Sequence, residues 1–269
     1  MARYQVILAY DGTLFKGFQR QSKARTVQGV VETALHQLGW TGNAILAAGR
    51  TDTGVHASGQ VIAFDLDWQH PQDELRLALN AQLPDDVAVK SVRLADPGFH
   101  PRYDAVARTY RYHIVCLDVR DPLIERYAWR VWPQVDLNQL QCIAQSLPGK
   151  HDFAAFGTPP HAHGTTWRTV FQAEWHSQPP EFVLEITADA FLYRMVRRLV
   201  SLQVEIAQGK HEHDLITTYL EAPPALPIQG LAPPHGLTLV SVAYETGARI
   251  TALSGEELDQ ELSGYKSGQ

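Results

Sequence analysis

The chain predicts an α+β protein made of two related ferredoxin-like halves with antiparallel sheets and a cleft between them. Three observations carry that expectation. Across the first hundred residues, strand and helix periodicities follow the order β-α-β-β-α-β, the split βαβ arrangement. The rest of the chain repeats that order with longer insertions, although no residue-level repeat is visible. A length of 269 residues, 45% hydrophobic and 19% charged, suits one large domain or two of roughly 100–150 residues each.

Taken in order, residues 4–10 read as a strand stopped by the turn pair Asp11-Gly12. Residues 26–38 predict a helix, with Thr26 as N-cap, Val27, Val30, Val31, Ala34, Leu35 and Leu38 at helical spacing, and Gly39 beyond its end. Strands follow at 44–48 and 60–65, then a helix at about 71–81 and a strand at 87–92. In the second half, 108–115 alternates like a strand and 136–147 looks helical, while 151–166 reads as a loop rich in Gly, Pro and His. Strands at 167–175 and 182–188 lead to a long helix at about 190–208, closed by Gly209, and a last strand at 237–244. The expected division is 1–100, 101–246 and a polar acidic tail at 247–269, with the halves joined near 97–105.

Bulk properties narrow the setting. No apolar run approaches the ~18 residues of a membrane span, and the first residues enter a strand pattern with no signal-peptide organisation. Two cysteines, Cys116 and Cys142, suggest no disulfide framework, so a reducing cytoplasm is expected. The formal charge of −6 does not advertise a nucleic-acid binder, but half of it resides in residues 254–269, where Glu256, Glu257, Asp259 and Glu261 face only Lys266. Elsewhere the chain has basic islands: Lys16, Arg20, Lys23 and Arg25; Arg102, Arg108 and Arg111; and Arg194, Arg197 and Arg198. Phosphate responds to local potential, so these islands permit a nucleic-acid partner if the fold gathers them.

The densest chemistry lies in Gly49-Arg50-Thr51-Asp52-Thr53-Gly54-Val55-His56-Ala57, which follows the apolar strand at 44–48. Glycines at both ends let the chain turn so that Asp52 stands at a strand mouth, and Arg50 with the Thr51 and Thr53 hydroxyls would favour its ionised form. An Asx-turn closed by Arg50 explains the same residues. Asp52-Thr53-Gly54 also occurs in aspartic proteases, but there two such carboxylates share a proton, and this chain has one. A neighbouring cation also opposes proton sharing.

Two further segments could meet Asp52. In Ala107-Arg108-Thr109-Tyr110-Arg111-Tyr112, Arg108, Tyr110 and Tyr112 share one strand face and Arg111 takes the other, a pattern suited to stacking on extruded bases or to a half-buried sheet. In the helix at 190–208, Leu192, Met195, Val196, Leu199 and Val200 form the buried stripe, with Arg194, Arg197 and Arg198 on an adjoining face; one of these arginines could reach Asp52. His161 with His163 and His211 with His213 lack metal-ligand spacing, and no nucleotide-binding fingerprint is present.

At these residues the chain resembles the A-type tRNA pseudouridine synthases over about residues 4–245. The match is strongest at Gly49 to Ala57. Supporting pieces are Tyr10-Asp11-Gly12-Thr13, Thr26-Val27-Gln28-Gly29, Phe99-His100-Pro101-Arg102, Tyr110-Arg111-Tyr112, Phe191 to Arg197, and Gly236-Leu237-Thr238-Leu239. The resemblance implies a pseudouridine synthase fold with RRM-like halves. It implies isomerisation of uridine at positions 38, 39 and 40 in the anticodon stem-loop of tRNA, with no metal or organic cofactor and a homodimer as the working unit. By position it makes Asp52 the nucleophile, Tyr110 the residue stacked on the target base, Arg197 the partner of Asp52, and Arg50 a residue that helps flip the base. Lys16, Arg20, Arg102 and Arg108 join Arg50 as expected tRNA contacts. Phe18 and Ser201 depart from the usual Trp and Gly and read as packing changes. The same fold without catalysis would be an RNA-binding protein, but binding alone needs no placed nucleophile. Uracil is a tolerable anionic leaving group, which fits a site with one evident carboxylate instead of a glycosidase pair.

Overall fold

A computed structural model describes residues 1–161 and 164–244. The predicted acidic tail and His163 lie outside the described residues. The first half runs β1 (Ala2–Tyr10), α1 (Val27–Gln37), β2 (Leu46–Ala47), β3 (His56–Leu66), α2 (Gln72–Gln82) and β4 (Val87–Leu94). The second runs β5 (Ala105–Val115), β6 (Trp129–Arg130), α3 (Leu137–Ala144), β7 (Gly149–Asp152), β8 (Trp167–Gln178), β9 (Glu181–Ala188), α4 (Met195–Ala207), α5 (Leu215–Glu221) and β10 (Leu237–Tyr244).

One sheet carries both halves, in the order β4-β1-β3-β10-β5-β9-β8-β7, with β2 on β3 and β6 on β5. Within the first half β1 lies between β4 and β3, and β2 pairs beyond β3. Within the second, β5 lies between β10 and β9, and β8 pairs beyond β9. Each half therefore has the same split βαβ order, and the duplication read from element order is present in the sheet.

The halves meet at a short parallel seam, where Thr238 faces His56 and Leu239 faces Ala57. That seam shortens the predicted strand at 44–48. One edge of β3 is shared: β10 takes its start, and β2 pairs only through Leu46 with Ala63 and Ala47 with Ile62. It also draws His56 and Ala57 out of the predicted loop and into β3.

Alternation on the strands sets the cores. Tyr4, Val6, Leu8 and Tyr10 of β1 point inward with Ile62, Phe64 and Leu66 of β3, and are covered by Val27, Val31 and Leu35 of α1 and Leu75 and Leu79 of α2. The Thr26 hydroxyl accepts the Gly29 N–H at 3.3 Å, an N-cap of the kind worth about 1 kcal/mol. A second core joins Tyr112 and Ile114 of β5, Trp175 of β8, and Leu184 and Ile186 of β9 to Leu140 of α3, Leu199 and Val200 of α4, and Ile216 of α5. The two cores interlock: Val55 belongs to the second, Leu239 to the first, and Tyr110 packs against both. On the other face of β5, Arg111 pairs with Glu185 at 2.7 Å and the Thr109 and Thr187 hydroxyls meet at 2.9 Å.

Three expectations need correction. The loop at 151–166 begins in a strand, because β7 pairs with β8 from Gly149 opposite Val170 to Asp152 opposite Trp167. The helix predicted from 190 starts at Met195. The Asp189 carboxylate accepts the N–H groups of Ala190 and Thr169 at 2.6 and 3.1 Å, and the Tyr193 N–H goes to the Thr158 carbonyl at 3.0 Å, so 190–194 is non-helical, with Tyr193 bridged to Thr158. Arg194 thus precedes the helix, in a left-handed conformation with φ +64°, and does not share a helical face with Arg197 and Arg198. Finally, α5 is an added element whose seven residues are too short for a periodicity signal. Among the described residues, no helix is long and apolar enough to cross a membrane.

Candidate active site

Asp52 sits on the loop between β2 and β3, which is fixed mainly by its backbone against the segment after β1. The Thr51 carbonyl accepts the Phe18 N–H at 3.0 Å, and the Phe15 carbonyl accepts the Gly54 N–H at 3.4 Å. Gly54 supplies the turn with φ +78°, and Gly17 has φ +91°, a region that side chains disfavour. Gly49 does not share this need: it is not among the residues with positive φ, and a Cβ there would meet nothing within 4 Å. Phe18 is buried beneath the loop, its ring 6.4 Å from that of Tyr10. Ser201 is buried on α4, and a Cβ at Gly230 would lie 3.0 Å from its hydroxyl.

The Thr51 hydroxyl does not favour Asp52. It points inward and bonds the Tyr10 phenol at 2.8 Å, both groups being buried. Burial pushes that phenol up to about 12, so it stays neutral and serves as a pin for the loop. Replacing Tyr10 with Phe leaves the Thr51 hydroxyl unpartnered, with an expected cost of about 1–3 kcal/mol. The loop loosens beside Asp52, so kcat should fall several-fold while KM for tRNA holds. Denaturant midpoints and steady-state kinetics check this.

The cation against Asp52 comes from the other half of the molecule. Arg197, in the first turn of α4 and only 8% exposed, donates from Nη1 to Asp52 Oδ2 at 3.1 Å. Its Nε donates to the Ala232 carbonyl at 2.8 Å, which fixes the guanidinium in the plane that reaches Asp52. Arg50, expected to supply this charge, is exposed and makes no ion pair with Asp52 among the described residues. Tyr110 is half-buried, with the Phe191 ring edge-on at 5.0 Å. Burial, then the neighbouring Tyr10 and the charge of Asp52, push its phenol well above the usual range and keep it protonated. Tyr112, two residues on, is fully buried, so of this face's aromatics Tyr110 alone retains exposure.

The other expected contacts divide. Lys16 is exposed. Arg20 is half exposed and held by the buried Glu32 carboxylate at 2.8 Å. Arg102 is half-buried, its guanidinium 5.9 Å from the Tyr103 ring. Arg108 has a different occupation. Its guanidinium donates to the carbonyls of Arg102, Asp189, Ala105 and Ala48 at 2.6, 2.8, 3.1 and 3.4 Å. It therefore ties the strand before the Asp52 loop to the turn before α4. Sequence shows that Arg108 shares a face with Tyr110; it does not show that the distant carbonyls of Ala48 and Asp189 converge there with the nearby ones of Arg102 and Ala105.

A second tie between the halves lies at Asp11, which takes hydrogen bonds from Arg126 and Tyr127, beside His56. His56 Nδ1 accepts the Gly12 N–H at 3.0 Å, and burial lowers the imidazole, leaving it neutral. Beside it, burial raises the Asp11 carboxyl, but hydrogen bonds from Thr13, Arg126 and Tyr127 outweigh that and hold it well below the usual carboxylate range. Among the described residues, no three His, Cys, Asp or Glu side chains gather in a way that would hold a metal. His161 is exposed, and His211 lies 3.4 Å from Glu205.

Two split βαβ halves joined in one sheet, with Asp52 at their junction and Arg197 from the opposite half against it, have the architecture of a pseudouridine synthase. The family model described as tRNA pseudouridine synthase matches residues 6–104 and 143–245. Three similar proteins are each called tRNA pseudouridine synthase A. One from Exiguobacterium is 38% identical over 91% of this chain and 99% of its own, and one from Geobacillus is 39% identical over 90% and 98%. A third, from Bacillus subtilis, is 37% identical over 90% and 99%. The chain belongs to the tRNA pseudouridine synthase family.

Proposed function

We propose that this chain isomerises uridine to pseudouridine in tRNA, at positions 38, 39 and 40 of the anticodon stem-loop, with Asp52, Tyr110 and Arg197 as its working residues. The observation that carries the reading is the Asp52–Arg197 pair across the junction of the halves, 3.1 Å long, with Tyr110 close enough for the Asp52 charge to raise its phenol. A protease would need a second carboxylate sharing a proton with Asp52, and Arg197 occupies that flank.

The reaction breaks C1′–N1, turns the uracil, and joins C5 to C1′; C5 loses one proton and N1 gains one. It is a redox-neutral isomerisation whose atoms balance without a co-reactant, so the proposal includes no cofactor. Asp52 either attacks C1′ or removes a sugar proton to give a glycal, and in both routes its carboxylate must be ionised and aimed. Arg197 does the aiming. Tyr110 supplies a ring for the extruded base and a neutral phenol for proton transfer at C5. Exposed Arg50 is available to fill the place the base vacates, and Lys16, Arg20 and Arg102 to meet phosphate. Arg108 enters the proposal through the carbonyls it holds. We place the enzyme in the cytoplasm as a homodimer; sedimentation of the purified chain tests the second point.

The test uses tRNA carrying tritium at uridine C5. The wild-type chain, without added metal or nucleotide, should release tritium to water, and replacing uridines 38, 39 and 40 by cytidine should abolish release. Tight binding without release would leave an RNA-binding protein. Tyr110→Phe should keep stacking and retain tRNA affinity, whereas Tyr110→Ala should weaken binding about 5- to 150-fold, the range for losing one base–aromatic stack. Filter binding beside single-turnover release separates these two duties of Tyr110.

A further inference from the structure

Among the described residues, the side chains of Tyr193 and Arg194 contact each other but make no hydrogen bond or ion pair. They interrupt a run of buried residues, Leu192 at 3%, Met195 at 1% and Val196 at 4% exposure, yet the Tyr193 ring is half exposed and Arg194 is exposed. Consecutive side chains on a strand point to opposite faces, and on a helix they diverge. Here the left-handed turn at Arg194 brings its guanidinium over its neighbour's ring, 4.7 Å from the centroid. Arg194 is the one non-glycine residue with positive φ among those described. Its guanidinium makes no ion pair or hydrogen bond there.

The backbone beneath the pair is rigid. The Tyr193 N–H donates to the Thr158 carbonyl at 3.0 Å, the Tyr193 carbonyl accepts from Arg198 Nη1 at 3.4 Å, and the Met195 N–H closes on Leu192 at 3.1 Å. The pair also stands beside the proposed chemistry. Arg194 immediately precedes α4, three residues before the Arg197 whose Nη1 donates to Asp52 at 3.1 Å.

We propose that Tyr193 and Arg194 form a nucleotide subsite for the residue adjoining the target uridine, its base stacked on Tyr193 and its phosphate met by Arg194. The inference rests on the reading of the chain as an RNA-modifying enzyme. An exposed ring next to an exposed cation, both on a hydrogen-bonded backbone, provides the two contacts that a splayed single-stranded nucleotide needs. The ring–guanidinium contact holds both side chains in place before RNA arrives, which lowers the ordering cost of binding.

The test compares Tyr193→Ala and Arg194→Asn with wild type on a synthetic anticodon stem-loop; asparagine tolerates the left-handed turn, so its fold should be kept. Tyr193→Ala should weaken binding about tenfold with unchanged melting temperature. Arg194→Asn should reduce the slope of log K against log salt by ~0.7, one phosphate contact on a single strand. Abasic sites on either side of the target supply the partner half of the cycle. One of them should cost wild type the same tenfold and cost Tyr193→Ala nothing more. Wild-type affinities and salt slopes in both variants would overturn the subsite. Tritium release by wild type reports separately on the isomerase: release with unaffected variants sinks the subsite alone, and no release from any RNA sinks both readings.

Discussion

Asp52→Asn should abolish turnover, lowering single-turnover tritium release by at least about 10⁴-fold, while tRNA affinity and melting temperature stay near wild type. The substitution is nearly isosteric, and the amide oxygen still accepts the Arg197 Nη1 hydrogen bond now made to Oδ2. The main-chain contacts that hold the loop, Phe18 to Thr51, Gly54 to Phe15 and Val55 to Asp52, and the Tyr10–Thr51 hydroxyl bond do not depend on the Asp52 side chain. What disappears is the negative charge, and with it both routes open to the carboxylate: a neutral amide neither attacks C1′ nor removes a sugar proton. Retained affinity with lost release would assign Asp52 to the chemistry. Release within tenfold of wild type would remove it from the reaction, and a large fall in melting temperature would show that its charge had been holding the loop.

Local patterns made most of the fold legible. The alternation in β1, the cap at Thr26 and the stripe of α1 are encoded within a few residues, and each element falls where that pattern places it. The order of elements was enough to show two split βαβ units. It could not show that β3 and β10 join in parallel, because that pairing unites residues nearly two hundred positions apart through only two register pairs. The start of α4 was misplaced for a related reason. Residues 190–194 have helical periodicity, but the Asp189 carboxylate and the Thr158 carbonyl capture their N–H groups, and neither competitor announces itself in that segment.

The site divides in the same way. Asp52 was legible because a carboxylate in a tight, glycine-ended loop after an apolar strand is a local statement. Its cation was legible only as a choice: residue types left Arg50 and three helix arginines open, the resemblance singled out Arg197, and Arg197 is the one near in space. Arg108 shows the limit most clearly. Sequence marks a cation on an aromatic-bearing strand face, which suggests phosphate, whereas its actual neighbours are four backbone carbonyls, a ligand set that residue identities never disclose.

Arg197→Met should lose both activity and stability, which separates it from Asp52→Asn. Methionine fills much of the same volume but donates nothing, so the Ala232 carbonyl loses its partner and Asp52 loses the group that aims it. Leaving a buried acceptor unsatisfied costs about 1–3 kcal/mol. For a chain of this size each kcal/mol corresponds to ~2–4 °C in melting temperature, so a fall of several degrees is expected. A carboxylate free to rotate spends less time in line with the sugar, and misplacement of that order lowers turnover about a hundredfold. Arg197→Lys should not rescue it, since one ammonium on a flexible stem cannot hold the Ala232 carbonyl and Asp52 in the fixed plane a guanidinium provides. The pair can be isolated by a cycle of Asp52→Asn, Arg197→Met and the double variant, read by melting temperature. A coupling near zero would mean that the Asp52 charge adds nothing to the hydrogen bond that asparagine retains. A coupling of about 0.5 kcal/mol or more would mean that the ion pair itself joins the two halves.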